Sequence, residues 1–157
     1  KPATLVRSAL AKYCAKDLSV LAFFGRVLQD IVKLQKPHRP LATFFTSVWL
    51  DTLAAVQSVS PQLVETALPP ILAAIRKPHL KDTFHAALSV VGALLVKAEL
   101  DKGLTAQILE RAVKHTAGEQ GRSAAGLLAL VLQLQAFDVV PEKALRALAA
   151  AGPEALV

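Results

Sequence analysis

Apolar residues recur along this chain at the i, i+3, i+4, i+7 spacing of an amphipathic helix, and no segment alternates with the strand period of two. Proline, glycine and charge clusters interrupt the pattern at regular intervals, so it predicts eight helices. The first covers about residues 2–13, with Leu5, Val6, Ala9 and Leu10 on one stripe and Pro2 in the first turn. Asp17 is a suitable N-cap for the second, about 17–34, which carries Val20, Phe23, Phe24, Val27, Leu28 and Ile31. Pro37 stops it, and Pro40 opens a third helix at about 41–57 with Phe44, Phe45, Val48 and Trp49 in helical rhythm. Ser60 followed by Pro61 caps and starts the fourth.

That fourth helix is irregular, because Pro69 and Pro70 fall inside its apolar pattern between Leu63 and Ile75. A proline there removes a backbone donor and crowds the preceding turn, which predicts a kink or a break near Ala67. The fifth helix, about 80–98, has Phe84, Leu88, Val91 and Leu95 as its main stripe. Gly92 lies beside that stripe; an interior glycine costs about 1 kcal/mol relative to alanine, so it points to a neighbour approaching closely. A sixth helix follows Gly103 and stops near Ala117 and Gly118. The seventh, about 123–135, is apolar nearly all round through Leu127, Leu128, Leu130, Val131, Leu132 and Leu134, and so must be covered on most sides. Pro141 starts the eighth, which ends near Gly152.

The predicted helices start near residues 2, 17, 41, 60, 80, 104, 123 and 141 and pair into four antiparallel hairpins. Odd-numbered helices are spaced by roughly 39–43 residues, the period of HEAT and armadillo repeats. The fold class expected is therefore all-α, a HEAT/armadillo-like α-solenoid of about four hairpins forming one domain over residues 1–157. A compact bundle would use the same helices, but the regular period favours the solenoid. The absence of an initiating methionine reads as the edge of a fragment of a longer solenoid.

Composition narrows the classes further. With 157 residues and 54% hydrophobic content, the chain can bury one core, and its Pro- and Gly-rich stretches are too short for disorder. Cys14 is the only cysteine, which excludes a disulfide scaffold. Mean hydropathy is high at +0.44. The best membrane candidate, Thr83 to Val96, contains His85 and falls short of the roughly 20 residues of a span, so no membrane is expected.

The segment LVETALPPILAAIRKP at Leu63 to Pro78 resembles the second helix of a HEAT repeat, with a Leu-Pro pair before an apolar stripe and a basic end. KPATLVRSALAKYCAKDLSVLAFF, PLATFFTSVWLDTL, LPPILAAIRK, TFHAALSVVGALL and GRSAAGLLALVLQLQ together resemble, in similar order over most of residues 1–140, the N-terminal helical region of a family of very large HEAT-repeat proteins. That family supplies the HEAT-repeat subunit of the UTP-A subcomplex of the small-subunit processome. The resemblance implies a nucleolar scaffold that joins early in ribosome assembly, supports pre-18S rRNA processing and is linked to ribosomal DNA transcription. It implies no catalytic residue, no cofactor and no small-molecule substrate. The partners it implies are other UTP-A subunits and processome proteins, with pre-ribosomal RNA contacted through its backbone.

Charge can be read independently. The chain has 18 basic and 12 acidic residues, a net of +6 that weakly favours an acidic or nucleic-acid partner. The windows 33–39, 76–81 and 114–122, which join successive hairpins, hold Lys33, Lys36, Arg39, Arg76, Lys77, Lys81, Lys114 and Arg122 against Glu119 alone. The windows within hairpins hold four basic and five acidic residues. A stacked solenoid would place the first set on one edge as a basic ridge, able to meet RNA phosphates or an acidic partner segment. The competing reading is that cations near helix C-termini simply complement the macrodipole.

Other chemistry is sparse. His38, His79 and His115 lie in or beside the basic turns and His85 on the fifth helix; a metal site would need them to converge with carboxylates. Cys14 reads as a packed thiol, and Trp49, beside Phe45 and Leu53, as core. Phe23, Phe24, Phe44, Phe45, Trp49 and Phe84 are expected on buried faces, which leaves little for stacking on single-stranded RNA. Gly118, Gly121 and Gly126 lack the Gly-Lys-Ser/Thr of a phosphate loop and read as a turn and a helix start. Two alternatives to the ribosome-assembly reading stay open: a HEAT or armadillo module of another system, such as a transport receptor or adaptor, and a helical ligand-binding or enzyme bundle.

Overall fold

The computed structural model describes residues 7–114, 118–134 and 142–150. All regular structure among the described residues is helical: α1 (Arg7–Lys16), α2 (Leu18–Leu34), α3 (Arg39–Ala55), α4 (Pro61–Ile75), α5 (Lys81–Lys97), α6 (Lys102–Val113), α7 (Gly118–Leu134) and α8 (Glu142–Ala150). No described helix is long and apolar enough to cross a membrane. The expected first turn around Pro2, the start at Pro141 and the end at Gly152 lie outside the described residues.

Short polar side chains set the helix starts. Asp17 Oδ1 accepts from Ser19 N at 2.9 Å, Ser60 Oγ from Leu63 N at 3.2 Å, and Asp101 Oδ1 from Leu104 N at 2.9 Å. Hydrogen bonds donated to the Asp17 carboxylate by the Ser19 hydroxyl and by the Ser19 backbone N–H hold that carboxyl below its ordinary range. His38 caps α3, its Nδ1 accepting from Leu41 N at 3.2 Å, and Pro40 follows in the first turn. The expected boundary between the sixth and seventh helices is corrected. Helix α6 ends at Val113, and α7 begins at Gly118, five residues before the expected Ser123. Gly118 is thus inside a helix and not a stop signal; Glu119 and Gln120 favour helix, and Gly121 is buried within it.

The expected break near Ala67 does not occur, for α4 runs on through Pro69 and Pro70. Each proline leaves a carbonyl four residues earlier without its helical donor, those of Glu65 and Thr66. Glu65 is exposed and Thr66 partly so, which leaves water able to serve both. The Pro70 ring is buried against α2 at Gly25, where an added Cβ would lie 3.1 Å from Pro70 Cγ. Glycine therefore sets how closely α2 and α4 approach. At Gly92 the expected neighbour is Leu130 of α7, but an added Cβ would meet it at 3.4 Å, an ordinary contact that does not require glycine.

Packing runs chiefly between alternate helices: α1 against α3, α3 against α5, α5 against α7, and α2 against α4. Weaker seams join α4 to α6 and α6 to α8. Among successive helices, α4 with α5 and α6 with α7 pack more heavily than α1 with α2, so the closest pairs span the basic connections. Lys97 at the end of α5 donates from Nζ to Val56 O, just past α3, at 2.8 Å across 41 residues. Ser123 Oγ lies 3.2 Å from His85 Nδ1 across 38 residues.

The core is one continuous cluster from Cys14 to Ala144, with Trp49, Phe45 and Phe84 its largest fully buried side chains. Trp49 is core, as expected. Two expectations of burial are corrected. Phe23 is 54% exposed and Phe44 40%, joined by Phe24 in an edge-to-face series that bridges α2 and α3. On α7, Leu132 and Leu134 are 48% and 46% exposed, since α5 and α6 cover only part of that helix. Cys14 is fully buried in the α1–α3 seam. Burial pushes its thiol above the usual range; a hydrogen bond with Thr52 opposes that shift and the charge of Asp17 adds to it.

This packing generates three predictions. Gly25→Val should destabilise the chain by about 1–3 kcal/mol through overpacking against Pro70. By contrast Gly126→Ala, at a helical site with nothing within 4 Å, should stabilise by roughly 0.5–1 kcal/mol. Denaturant midpoints of the two variants, read against the parent chain, measure both signs. Cys14 should react with a thiol reagent at mildly alkaline pH roughly a hundredfold more slowly in the native chain than in denaturant, because reaction requires local opening. Equal rates would show that the α1–α3 seam is open.

Candidate interaction edge

Helices α2, α4 and α6 place their C-terminal ends side by side, so the negative ends of three helix dipoles share one edge. The turns there are tightly held. Gln35 closes α2 in the left-handed region at φ 52°, its N–H bonded to Val32 O at 3.2 Å. After α4, Lys77 N donates to Ala74 O at 3.0 Å and Leu80 N to Lys77 O at 2.9 Å, which fixes the backbone that carries Arg76 and Lys77.

Between the ends of α2 and α4 lies an open groove of about 610 Å³. Val32, Pro69, Leu72 and Ala73 supply its apolar lining, and Lys33, Arg76 and Lys77 its cations, with Gln29 and Gln35 adding neutral amides. A second pocket of about 260 Å³ opens between α4 and α6, lined by Ile75, Pro78, Arg76, Arg111 and Lys114. Arg76 borders both, so the two form one strip. No carboxylate lines either among the described residues. The Arg111 Nη1 is buried and has no hydrogen-bond partner.

The structure therefore brings together Lys33, Arg76, Lys77 and Lys114 from the predicted set. Lys36, in the turn after α2, and Lys81, the first residue of α5, are exposed and line neither cavity. Arg122 is exposed on α7 and is likewise outside both. Arg39 opens α3 and lines a different groove, between α3 and α5, where Asp82 is its acidic neighbour. Reading only the turns missed Arg111, which sits in the last turn of α6, three residues before Lys114. It missed Asp30 as well, whose Oδ1 lies 3.1 Å from Lys33 Nζ in an exposed pair of little energetic weight. Complementing the dipoles accounts for cations at this edge. It does not account for a guanidinium nitrogen shielded from water with nothing to donate to.

The remaining candidates have structural placements of their own. His38 is the α3 cap, His79 is exposed in the α4–α5 turn, and His85 holds Ser123 with Nδ1 while its buried Nε2 has no partner. His115 lies outside the described residues. No group of three His, Cys, Asp or Glu side chains with metal-site geometry occurs among the described residues. The exposed rings of Phe23 and Phe44 line neither basic cavity.

No family model matches the chain. It is 29% identical over 150 residues to an uncharacterized protein of Arabidopsis thaliana. The similarity covers 88% of this chain and 7% of the plant protein, so the chain spans a small part of the length of the curated relative it matches.

Proposed function

We propose that this chain is a non-catalytic HEAT-like scaffold module acting in ribosome biogenesis, where it supports assembly of the small-subunit processome and pre-18S rRNA processing. Its helices form a solenoid of two rows, α1, α3, α5 and α7 in one and α2, α4, α6 and α8 in the other. The observation that carries this reading is the packing of alternate helices in a repeating register, marked by the Lys97–Val56 and Ser123–His85 contacts across 41 and 38 residues. Those separations match the period of the predicted helix starts.

The assignment to the processome rests on the resemblance of five segments, in order, to the large HEAT-repeat subunit of the UTP-A subcomplex. Similarity to a small part of a much longer plant protein fits a module within a large scaffold. The partners are other UTP-A subunits and processome proteins, met along the basic edge, with pre-ribosomal RNA touched secondarily through its backbone. The site of action is the nucleolus.

Affinity purification of the full-length parent protein, washed at low and high salt, tests the reading. Co-purification of UTP-A subunits and pre-ribosomal RNA, with the RNA lost at high salt, is the expected result. An unrelated set of proteins, such as transport or cytoskeletal factors, would replace the processome assignment and leave the solenoid standing. Charge reversal at Arg76→Glu and Lys77→Glu should reduce partner recovery by roughly tenfold if the edge is the docking surface.

A further inference from the structure

We propose that the α2–α4 groove and the α4–α6 pocket are one docking site for an acidic, amphipathic peptide segment of a partner protein. Apolar side chains of the peptide pack on Pro69, Leu72 and Ala73, and a carboxylate enters the pocket of Arg76, Arg111 and Lys114. The inference rests on the scaffold reading above for its setting, but not on the identity of the assembly.

Charge complementarity selects the occupant. Five cations, Lys33, Arg76, Lys77, Arg111 and Lys114, border the strip with no carboxylate among its described lining residues. Among the described residues only Lys33 of these pairs with a carboxylate, and that partner, Asp30, lies outside the groove. Arg111 adds a second, independent feature. A buried guanidinium donor without an acceptor is costly, and a shift of the Arg111 side chain toward the pocket it lines lets a peptide carboxylate accept from it in a charge-assisted hydrogen bond. The apolar lining distinguishes a peptide from RNA: a sugar-phosphate backbone has no side chain to cover Pro69, Leu72 and Ala73, and among the described residues no aromatic ring borders the strip to stack a base. Pro69 and the Pro70–Gly25 contact hold α2 and α4 in fixed approach, so the groove is formed before a ligand arrives.

Selection of a random dodecamer display library on the purified chain tests this without assuming a sequence. Enriched peptides should combine Asp or Glu with Leu, Ile or Phe, and bind with an affinity that falls as salt rises. Replacing their carboxylates with amides should weaken binding by roughly tenfold or more. Arg111→Leu should weaken it by a similar factor while the free chain melts no lower than the parent, because an unpaired buried donor has been removed. Lys36→Gln, outside both cavities, should leave affinity unchanged. On the unmodified chain, backbone amide resonances of Val32, Leu72 and Arg111 should move together as an enriched peptide is added. Enrichment of neutral or basic peptides, or full affinity in Arg111→Leu, would overturn the proposal. So would acidic peptides that bind equally well without their apolar residues. Single-stranded polyuridylate competing away an enriched peptide at lower concentration than that peptide's own affinity requires would identify RNA as the occupant and overturn it too. None of these outcomes bears on whether the parent protein co-purifies with the processome, so the two readings fail separately.

Discussion

Burial of α5 is the constraint on which the remaining architecture depends. Its neighbours α3, α4 and α7 cover it on several sides, and Phe84, Ala87, Val90, Val91 and Leu94 are all withdrawn from water. A helix with that much apolar surface is stable only between others, and its small residues Ala86 and Ala87 allow the neighbours to come close. With α5 enclosed, α3, α4 and α7 share it as a common neighbour.

The α2–α4 seam extends that arrangement by a different device. Two prolines would ordinarily weaken a helix interior, since each removes a donor and presses on the previous turn. Here one ring becomes a packing element, received by the space that Gly25 leaves on α2. The chain thus turns a local weakness into an interhelical contact, and the same contact sets the width of the groove above it. Stability and the candidate site share this one approach distance.

The basic edge follows from direction as much as from composition. Parallel α2, α4 and α6 bring three C-terminal ends together, where cations are favoured by exposed carbonyls. Lys33 and Arg111 fall in last turns and Arg76 is the closing residue of α4, so each has a local reason for its position. Their convergence on a strip with apolar lining is a product of stacking. Helices α3, α5 and α7 present a different surface, in which Arg39 and Asp82 line one groove and Ser123 Oγ lies beside His85 Nδ1.

Helical periodicity, proline and glycine positions and capping residues together determined the number of helices, most of their boundaries and the all-α class, because each of these acts over one or two turns. Asp17, Ser60 and Pro40 could be read for that reason, as could the burial of Trp49 and the inert setting of Cys14. Lys33, Arg76, Lys77 and Lys114 were legible as an edge because regular turn spacing carries the alternation of chain direction. Tertiary structure alone decided the rest. Helix α4 runs on through Pro69 and Pro70, and the Pro70 ring packs on a glycine some 45 residues away, which no local pattern can weigh. Phe23, Phe44, Leu132 and Leu134 have the hydrophobicity of core residues, yet remain exposed because no described helix covers those faces. Arg111 became part of the site only when α6 lay beside α4. Hydrophobic periodicity says which side of a helix prefers burial, while the placement of a neighbour decides which residues on that side receive it.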